Sequence, residues 1–280
     1  MILVVGDVIT DVIVRPSGPL VGGSDCPSDI RPSPGGAGAN QACWLAHLGA
    51  PVAFAGRVGA ADHAAQLAAF HAAGVRGHLA ADAHRPTGMI VALIAPDGER
   101  SFYTDRGANR HLSADDLPPA LLDGRRWLHV SGYALFEPGP RAAAMALMAA
   151  ARRRGLGVSV DGGSAAFLRH AGANAFRAWT EAAAICFSNA DEAAVLGKAA
   201  YPIRVITAGP DGASASAGGE WVRVPAQTVA AHDTTGAGDA FLAGFLVAHL
   251  AGADLPAALA RGTQAGTVAV GLAGGRPRAD

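Results

Sequence analysis

The sequence predicts an α/β fold, a central and mostly parallel sheet with helices on both faces, and three observations carry that prediction. An apolar run at 1–5 ends in Gly6-Asp7, as a buried strand of a parallel sheet does. From residue 127 onward the chain alternates regularly. Strands are predicted at 127–130, 157–160, 184–187 and 204–207, with helical patterns between them, including the Ala-rich 140–154. That rhythm implies βαβ units and three layers, α/β/α. In two earlier stretches, 11–34 and 87–106, Gly, Pro, Ser and β-branched residues replace the helical texture.

The remaining elements fall between these landmarks. A helix is predicted at 39–48, closed by Gly49, then a strand at 51–55 and a helix at 62–73 before Gly74. The second β-rich stretch reads as a hairpin, 88–95 and 100–104, around a Pro-Asp-Gly turn. Two apolar helices, 238–250 and 255–270, close the chain. No internal repeat or linker marks a second domain, so 1–280 reads as one domain. Two strand-rich insertions on such a core suit a small sheet covering an active site.

Composition narrows the function. Half of the 280 residues are hydrophobic, 16% are charged, and the formal net charge is −1. This is a packed chain with no electrostatic case for nucleic acid or an anionic membrane. Any phosphate must be held by a few aimed donors. Cys26, Cys43 and Cys186 are too few and scattered for a disulfide framework or a zinc site, and the ten histidines show no paired-ligand spacing. The apolar start is interrupted by Asp7 and Asp11 and lacks a basic leader, so it reads as a strand. The longest apolar run, 241–253, is about half of a membrane span. A cytoplasmic protein is expected.

The chemistry concentrates in Asp233-Thr-Thr-Gly-Ala-Gly-Asp239, directly followed by an apolar helix. Gly236, Ala237 and Gly238 are small enough for backbone N–H groups to approach an anion closely. Those groups would sit at a helix N-terminus, where unpaired donors and the dipole favour negative charge. Such a site suits a phosphoryl group in transfer. Asp239, on the first turn, can accept the proton of an attacking hydroxyl. Aspartate is also a common helix cap, and the Gly-Ala-Gly before it is what favours catalysis.

A second motif is Pro34-Gly35-Gly36-Ala37-Gly38-Ala39-Asn40. Its glycines let a polyol lie against the backbone, and Asn40 offers donors and an acceptor to hydroxyls. It is a poor dinucleotide fingerprint, because it follows a Pro-rich segment and Gln41 replaces the third glycine. No GxxxxGK[ST] occurs, which excludes a P-loop kinase.

Together these residues, with Gly56-Arg57-Val58-Gly59, resemble the PfkB (ribokinase-like) family of carbohydrate kinases over essentially the whole chain. The resemblance implies a ribokinase-like fold with a β-sheet lid from about 11–34 and 87–106, often also a homodimer interface. It implies transfer of a phosphoryl group from ATP to a sugar or sugar-acid hydroxyl, with Asp239 as base and the 236–238 loop as anion hole. Asp11, Gly35, Gly36 and Asn40 match the sugar site. Asn189-Ala-Asp-Glu192 matches a motif whose Glu organises Mg²⁺, although the residues alone read as a helix cap. Thr207, Gly209 and Gly212 match a turn that contacts the nucleotide. Asp233 and Thr235 match positions that bind a monovalent cation such as K⁺ in many members.

Departures bear on the substrate. Ala37 stands where ribokinases carry Lys, Asp161-Gly-Gly-Ser164 replaces a DxNxR-like segment, and Thr263 replaces an Asn near the adenine end. Tyr103, Asp105, Arg106 and Asn109 lie in or just after the lid hairpin, in reach of substrate; Arg106 suits an acidic sugar such as a ketodeoxy aldonate. The same residues also read as a solvated loop end. A nucleoside kinase shares this machinery. A dinucleotide-dependent oxidoreductase and a non-catalytic sugar-binding protein are the alternatives of other classes.

Overall fold

The computed structural model describes residues 1–19, 22–94, 100–229 and 232–278. Strand β1 (Ile2–Val5) is the pivot, and its four side chains are all buried. Ile2 and Val4 join one hydrophobic cluster while Leu3 and Val5 join the other, on opposite faces of the sheet. A strand covered on both faces must be apolar throughout.

On one side β1 pairs in parallel with β4 (Val52–Gly59), which pairs with β5 (Val75–Asp82). On the other it pairs with β8 (Trp127–Val130), followed by β9 (Gly157–Asp161), β10 (Ile185–Asn189) and β11 (Ile203–Thr207), all parallel. An antiparallel hairpin, β12 (Ala213–Ala217) and β13 (Glu220–Val224), completes the nine-stranded sheet. Helices α1 (Ala37–His47), α2 (His63–Ala72), α7 (Ala237–Leu250) and α8 (Leu255–Val270) contribute to the first cluster, with Trp44, Phe70 and Phe245 fully buried. Helices α3 (Pro138–Arg153), α4 (Ala165–Ala171), α5 (Ala173–Trp179) and α6 (Ala190–Leu196) contribute to the second. Among the described residues no helix is long and apolar enough to cross a membrane.

A separate four-stranded sheet, β3-β2-β6-β7, is built from β2 (Ile9–Pro16), β3 (Ser28–Gly35), β6 (Gly88–Ile94) and β7 (Arg100–Asp105). Its strands come from the two β-rich stretches of the sequence. The Pro-Asp-Gly turn of the expected hairpin lies outside the described residues. Asn109 ties this sheet to the core: it is buried, and its amide accepts from Val8 N–H and donates to Val8 C=O. It is therefore a structural clamp and not the substrate contact expected of it.

Several elements were not legible. Strand β5 carries Arg76, His78 and Asp82 on a mostly half-exposed edge, without apolar alternation. Strand β12 is Ala-Ser-Ala-Ser-Ala, which has no β-branched residue and is held by its neighbours. Strand β4 runs four residues beyond the predicted end, to Gly59, where Arg57 pairs with Asp82 at 3.0 Å and Asp116 at 2.9 Å.

Helices α7 and α8 approach closely at Gly244, where an added Cβ would lie 2.6 Å from the Arg261 carbonyl and 2.9 Å from Ala265 Cβ. Gly244→Val is expected to destabilise the fold by about 1–3 kcal/mol through overpacking. A lower urea midpoint at unchanged slope is the readout; an unchanged midpoint would show that the two helices can part there.

Candidate active site

The order of the main sheet reverses at β1, and the crevice outside the carboxyl ends of the strands at such a point collects ligands. Asp7 follows β1, Asp161 ends β9, Asn189 ends β10 and Thr207 ends β11. The start of α7 faces them across a cleft of about 260 Å³ lined by Gln41, Tyr133, Asp161, Asn189, Glu192, Thr207, Gly236, Gly238 and Asp239.

Two Gly-rich helix starts meet here, and they differ in one respect. At α1, the N–H groups of Gly38 and Ala39 donate to the Asp7 carboxylate and carbonyl, at 3.3 and 3.2 Å. That N-terminus is already capped by an anion of the protein itself. At α7, Gly236 takes a left-handed conformation (φ 74°) and forms the cap. Ala237 N–H reaches the Thr234 carbonyl, whereas the N–H groups of Gly238 and Asp239 have no acceptor among the described residues. The open donors are therefore at 238–239, and the 35–40 loop is not an anion hole.

Asp239 is held by two amides. Gln41 Nε2 donates to its Oδ1 at 3.0 Å and Asn40 Nδ2 to its Oδ2 at 3.2 Å. Burial pushes its pKa well above the usual carboxylate range; Asn40 and Gln41 oppose this, and the charges of Asp161 and Asp7 add to it. Both amides are themselves oriented. Gln41 also donates to Asp161 Oδ2 at 2.9 Å, and its carbonyl faces His129 Nε2 at 3.0 Å. Trp127 Nε1 can only donate, so Ser159 Oγ accepts from it and donates to His129 Nδ1. His129 therefore carries its proton on Nε2 and donates toward Gln41 and Asp161. Asn40 Oδ1 accepts from Arg276 Nε at 3.3 Å, and Arg276 Nη2 donates to the Gly35 carbonyl at 2.9 Å.

Asn40 was expected on substrate hydroxyls. Its carbonyl accepts from Arg276 and one N–H goes to Asp239, which leaves the second N–H for the hydroxyl contact. Asp11 lies half-buried in β2 with its carboxylate packed against Gly35; burial and the nearby Asp7 raise its pKa from 3.8 to about 6, with Arg276 opposing. Gly36 caps α1. Arg106 lies over the Tyr133 ring, 3.7 Å from Asp7 Oδ2. Tyr103 pairs with Val91, one residue out of step with Asp11 and its partner Ile90, so it sits on the opposite face of the small sheet, 66% exposed. Asp105 caps the turn at Gly107.

Asn189 and Glu192 form a capping box on α6: Asn189 accepts from Glu192 N–H and Glu192 accepts from Asn189 N–H. Glu192 also lines the cleft, and burial, with Asp161 and Asp191 adding and the Asn189 hydrogen bond opposing, pushes it up to about 7. Thr207 lines the cleft, while Gly209 and Gly212 shape the turn into β12, Gly212 against the backbone of Val224 and Ala226. Asp233 accepts from Thr235 N–H and Oγ1 and from Gly274 N–H, which knits the loop to the C-terminal tail. Among the described residues no three His, Cys, Asp or Glu side chains form a metal-holding group.

Asp7, Gln41, His129, Asp161 and Arg276 are site residues that sequence reasoning did not select. Gln41 stands directly after the Gly-rich loop and Asp161 ends a predicted strand, which are visible signals; Arg276 has none, because it reaches the site through the tail.

Comparison with known proteins agrees with this geometry. The description "pfkB family carbohydrate kinase" matches residues 1–279. The chain is 32% identical to a fructokinase of Klebsiella pneumoniae over 92% of this chain and 87% of that one. It is 30% identical to a ribokinase of Bacillus subtilis (strain 168), over 99% and 96% respectively. An aminoimidazole riboside kinase from Salmonella enterica superposes with a TM-score of 0.80 at 26% identity, covering 100% of this chain and 96% of that one. With its cleft, its open helix start and its amide-held carboxylate, the chain belongs to the pfkB family of carbohydrate kinases.

Proposed function

We propose that the protein transfers the γ-phosphoryl group of ATP to a hydroxyl of a sugar or sugar acid, with Asp239 as the general base. The observation that carries this is the adjacency of a desolvated carboxylate and unpaired helix-start N–H groups on one turn of α7. Asp239 takes the hydroxyl proton, the alkoxide oxygen bonds to the γ-phosphorus, and the bond to the β-phosphate oxygen breaks, releasing ADP. The 236–239 backbone meets the charge on the transferring group. Asn40 and Gln41 keep the carboxylate aimed, and Asp11 and Gly35 hold the acceptor.

The donor set fits Mg²⁺. The cleft lining contains Asp161, Glu192 and Asp239 and no Lys or Arg, so a polyphosphate entering it needs a cation. Magnesium is commonly held by one or two carboxylates, waters and substrate phosphates, which suits Glu192 in the absence of a three-residue cage. When bound it would neutralise phosphate charge. Asn189, Thr207, Gly209 and Gly212 border the nucleotide side. The proposal extends to K⁺ at Asp233 and Thr235, beside the loop that forms the anion hole, and to a cytoplasmic location.

The second sheet is read as a lid and as a homodimer face. Val12, Val14, Ile30, Met89, Val91 and Tyr103 share the face opposite Asp11, with Ile30 59%, Met89 45% and Tyr103 66% exposed. A nucleoside acceptor is the second reading, favoured by the Tyr133 ring in the cleft lining.

Asp239→Asn is expected to lower kcat by about a hundred-fold or more. A folded variant within a few-fold of the parent would remove Asp239 from the base role. Ionised Asp11 is the stronger hydroxyl acceptor, so Asp11→Asn should lose the part of the kcat/KM rise that falls near pH 6, while the rise set by Glu192, at about 7, and by Asp239, above the usual carboxylate range, stays. The stability contribution has the opposite sign. A raised carboxylate pKa means the folded state holds the proton longer, so this contribution is full below about 3.8 and is lost as pH rises through about 6. In sedimentation, the parent should be a dimer and Tyr103→Glu a monomer; a monomeric parent would exclude the lid interface.

A further inference from the structure

Tyr133, in the cleft lining, packs against two side chains of a second cavity. The Arg106 guanidinium lies 5.1 Å from its ring centroid, and Phe167 meets its edge at 6.1 Å. That cavity, about 450 Å³, has aromatic walls from Phe136, Phe167 and Trp179 and three basic side chains, Arg106, Arg141 and His170.

Its charge is compensated only in part, by Asp7 beside Arg106. The single acid in the lining, Glu137, is paired outside the set, with Arg110 at 3.1 Å. Arg141 has no acidic partner among the described residues; it stacks 4.2 Å from the Trp179 ring centroid and touches only the Leu135 carbonyl, at 3.4 Å. Arg106 is 14% exposed and stands 3.7 Å from Asp7, too far for a hydrogen bond, while Nη2 donates to the Tyr133 carbonyl. Arg141, a guanidinium fork without a carboxylate, and Arg106, whose Asp7 partner stands beyond hydrogen-bond distance, are set among aromatic rings and form a receptor for an oxyanion. The adjacent cleft has the opposite character, with Asp161, Glu192 and Asp239 in its lining. A ligand with hydroxyls at one end and an anion at the other is oriented by this difference alone.

We propose that the second cavity takes the anionic end of the acceptor, a sugar carboxylate or sugar phosphate, with Arg141 and Arg106 on its oxyanion while the reacting hydroxyl lies at Asp239. This deepens the kinase reading above and rests on it. The acceptor is recognised by its charged end, and Tyr133 packs between the two recognition points.

The test is ADP release on three matched pairs: ribose and ribose 5-phosphate, fructose and fructose 6-phosphate, glucose and gluconate. In at least one pair the anionic member should be preferred ten-fold or more in kcat/KM, the phosphate and carboxylate pairs telling the two sources apart. Arg141→Met, which keeps the stem on Trp179, should cut that preference ten-fold or more through KM, and Arg141→Lys should keep most of it. Preference for the neutral member in all three pairs, or a preference unmoved by Arg141→Met, overturns the proposal. Failure of the kinase reading looks different: no acceptor releases ADP. Tryptophan fluorescence titrated with the three anions then tests the cavity directly. A saturable change abolished in Arg141→Met supports the anion site, and no change with any of the three overturns it.

Discussion

The base role proposed for Asp239 depends on keeping one carboxylate ionisable where water is scarce and other carboxylates are near. Asp239 is desolvated and feels Asp161 and Asp7. Left alone it would simply hold a proton. Two neutral amides oppose this without cancelling the charge, because each donates one N–H to a different oxygen, and the pKa stays well above the usual carboxylate range. A Lys or Arg in their place would pull the pKa down and weaken the base. Amides favour the anion and still leave the carboxylate more basic than usual, which suits the proposed base role.

Amides have a cost in certainty, because they can flip. The structure removes that freedom by fixing the far end of each one. Gln41 is locked by a chain that begins at Trp127, an obligate donor, and runs through Ser159 and His129. Asn40 is locked by Arg276, a donor only. The tail that carries Arg276 is in turn held by Trp44 Nε1 on the Gly275 carbonyl and by Asp233 on Gly274 N–H. The core strands, α1 and the C-terminal tail thus converge on the orientation of two side-chain amides. Packing and catalysis are the same constraint at this point, since β8 and β9 must be in register for Trp127 to reach Ser159.

This explains which parts could be read from sequence. The parallel strands and α7 were legible because burial on two faces forces continuous apolar runs, and the GAGD turn because only small residues suit an N-terminal anion site. Strands β5 and β12 were not, because edge pairing and neighbouring ladders hold them without a composition signal. Among site residues, Asp239 and Glu192 were legible from local motif. Asn40 was legible from the Gly-rich loop but its contact with Arg276 was not, since nothing local shows that a tail some 236 positions along the chain binds its carbonyl. His129 and Asp161 depend on the spatial meeting of separate strand ends. Tyr103, readable both as in reach of substrate and as part of a solvated loop end, stands on the exposed face, because period-2 alternation fixes that it is out of step with its neighbours but not which face covers the cleft.

The contrast between the two helix starts settles how a chain of net charge −1 can handle phosphate. Both starts are rich in small residues, and the sequence analysis assigns the first to a polyol and the second to an anion. Asp7 occupies the first, so its N–H groups fasten the β1 end to α1 and are withdrawn from ligand binding. The second has no such partner, and its donors face a cleft that has carboxylates but no basic side chain in its lining. Positive charge is instead placed at Arg106 and Arg141, beyond the Tyr133 ring. A site with backbone donors at one end and guanidinium groups at the other separates the anion that moves from an anion that must stay. If the arginines stood beside the open helix start, they would hold the product phosphate as firmly as the reactant. Keeping them in the second cavity, outside the lining of the cleft, leaves the transferring group to weaker backbone donors that act on its charge as it develops.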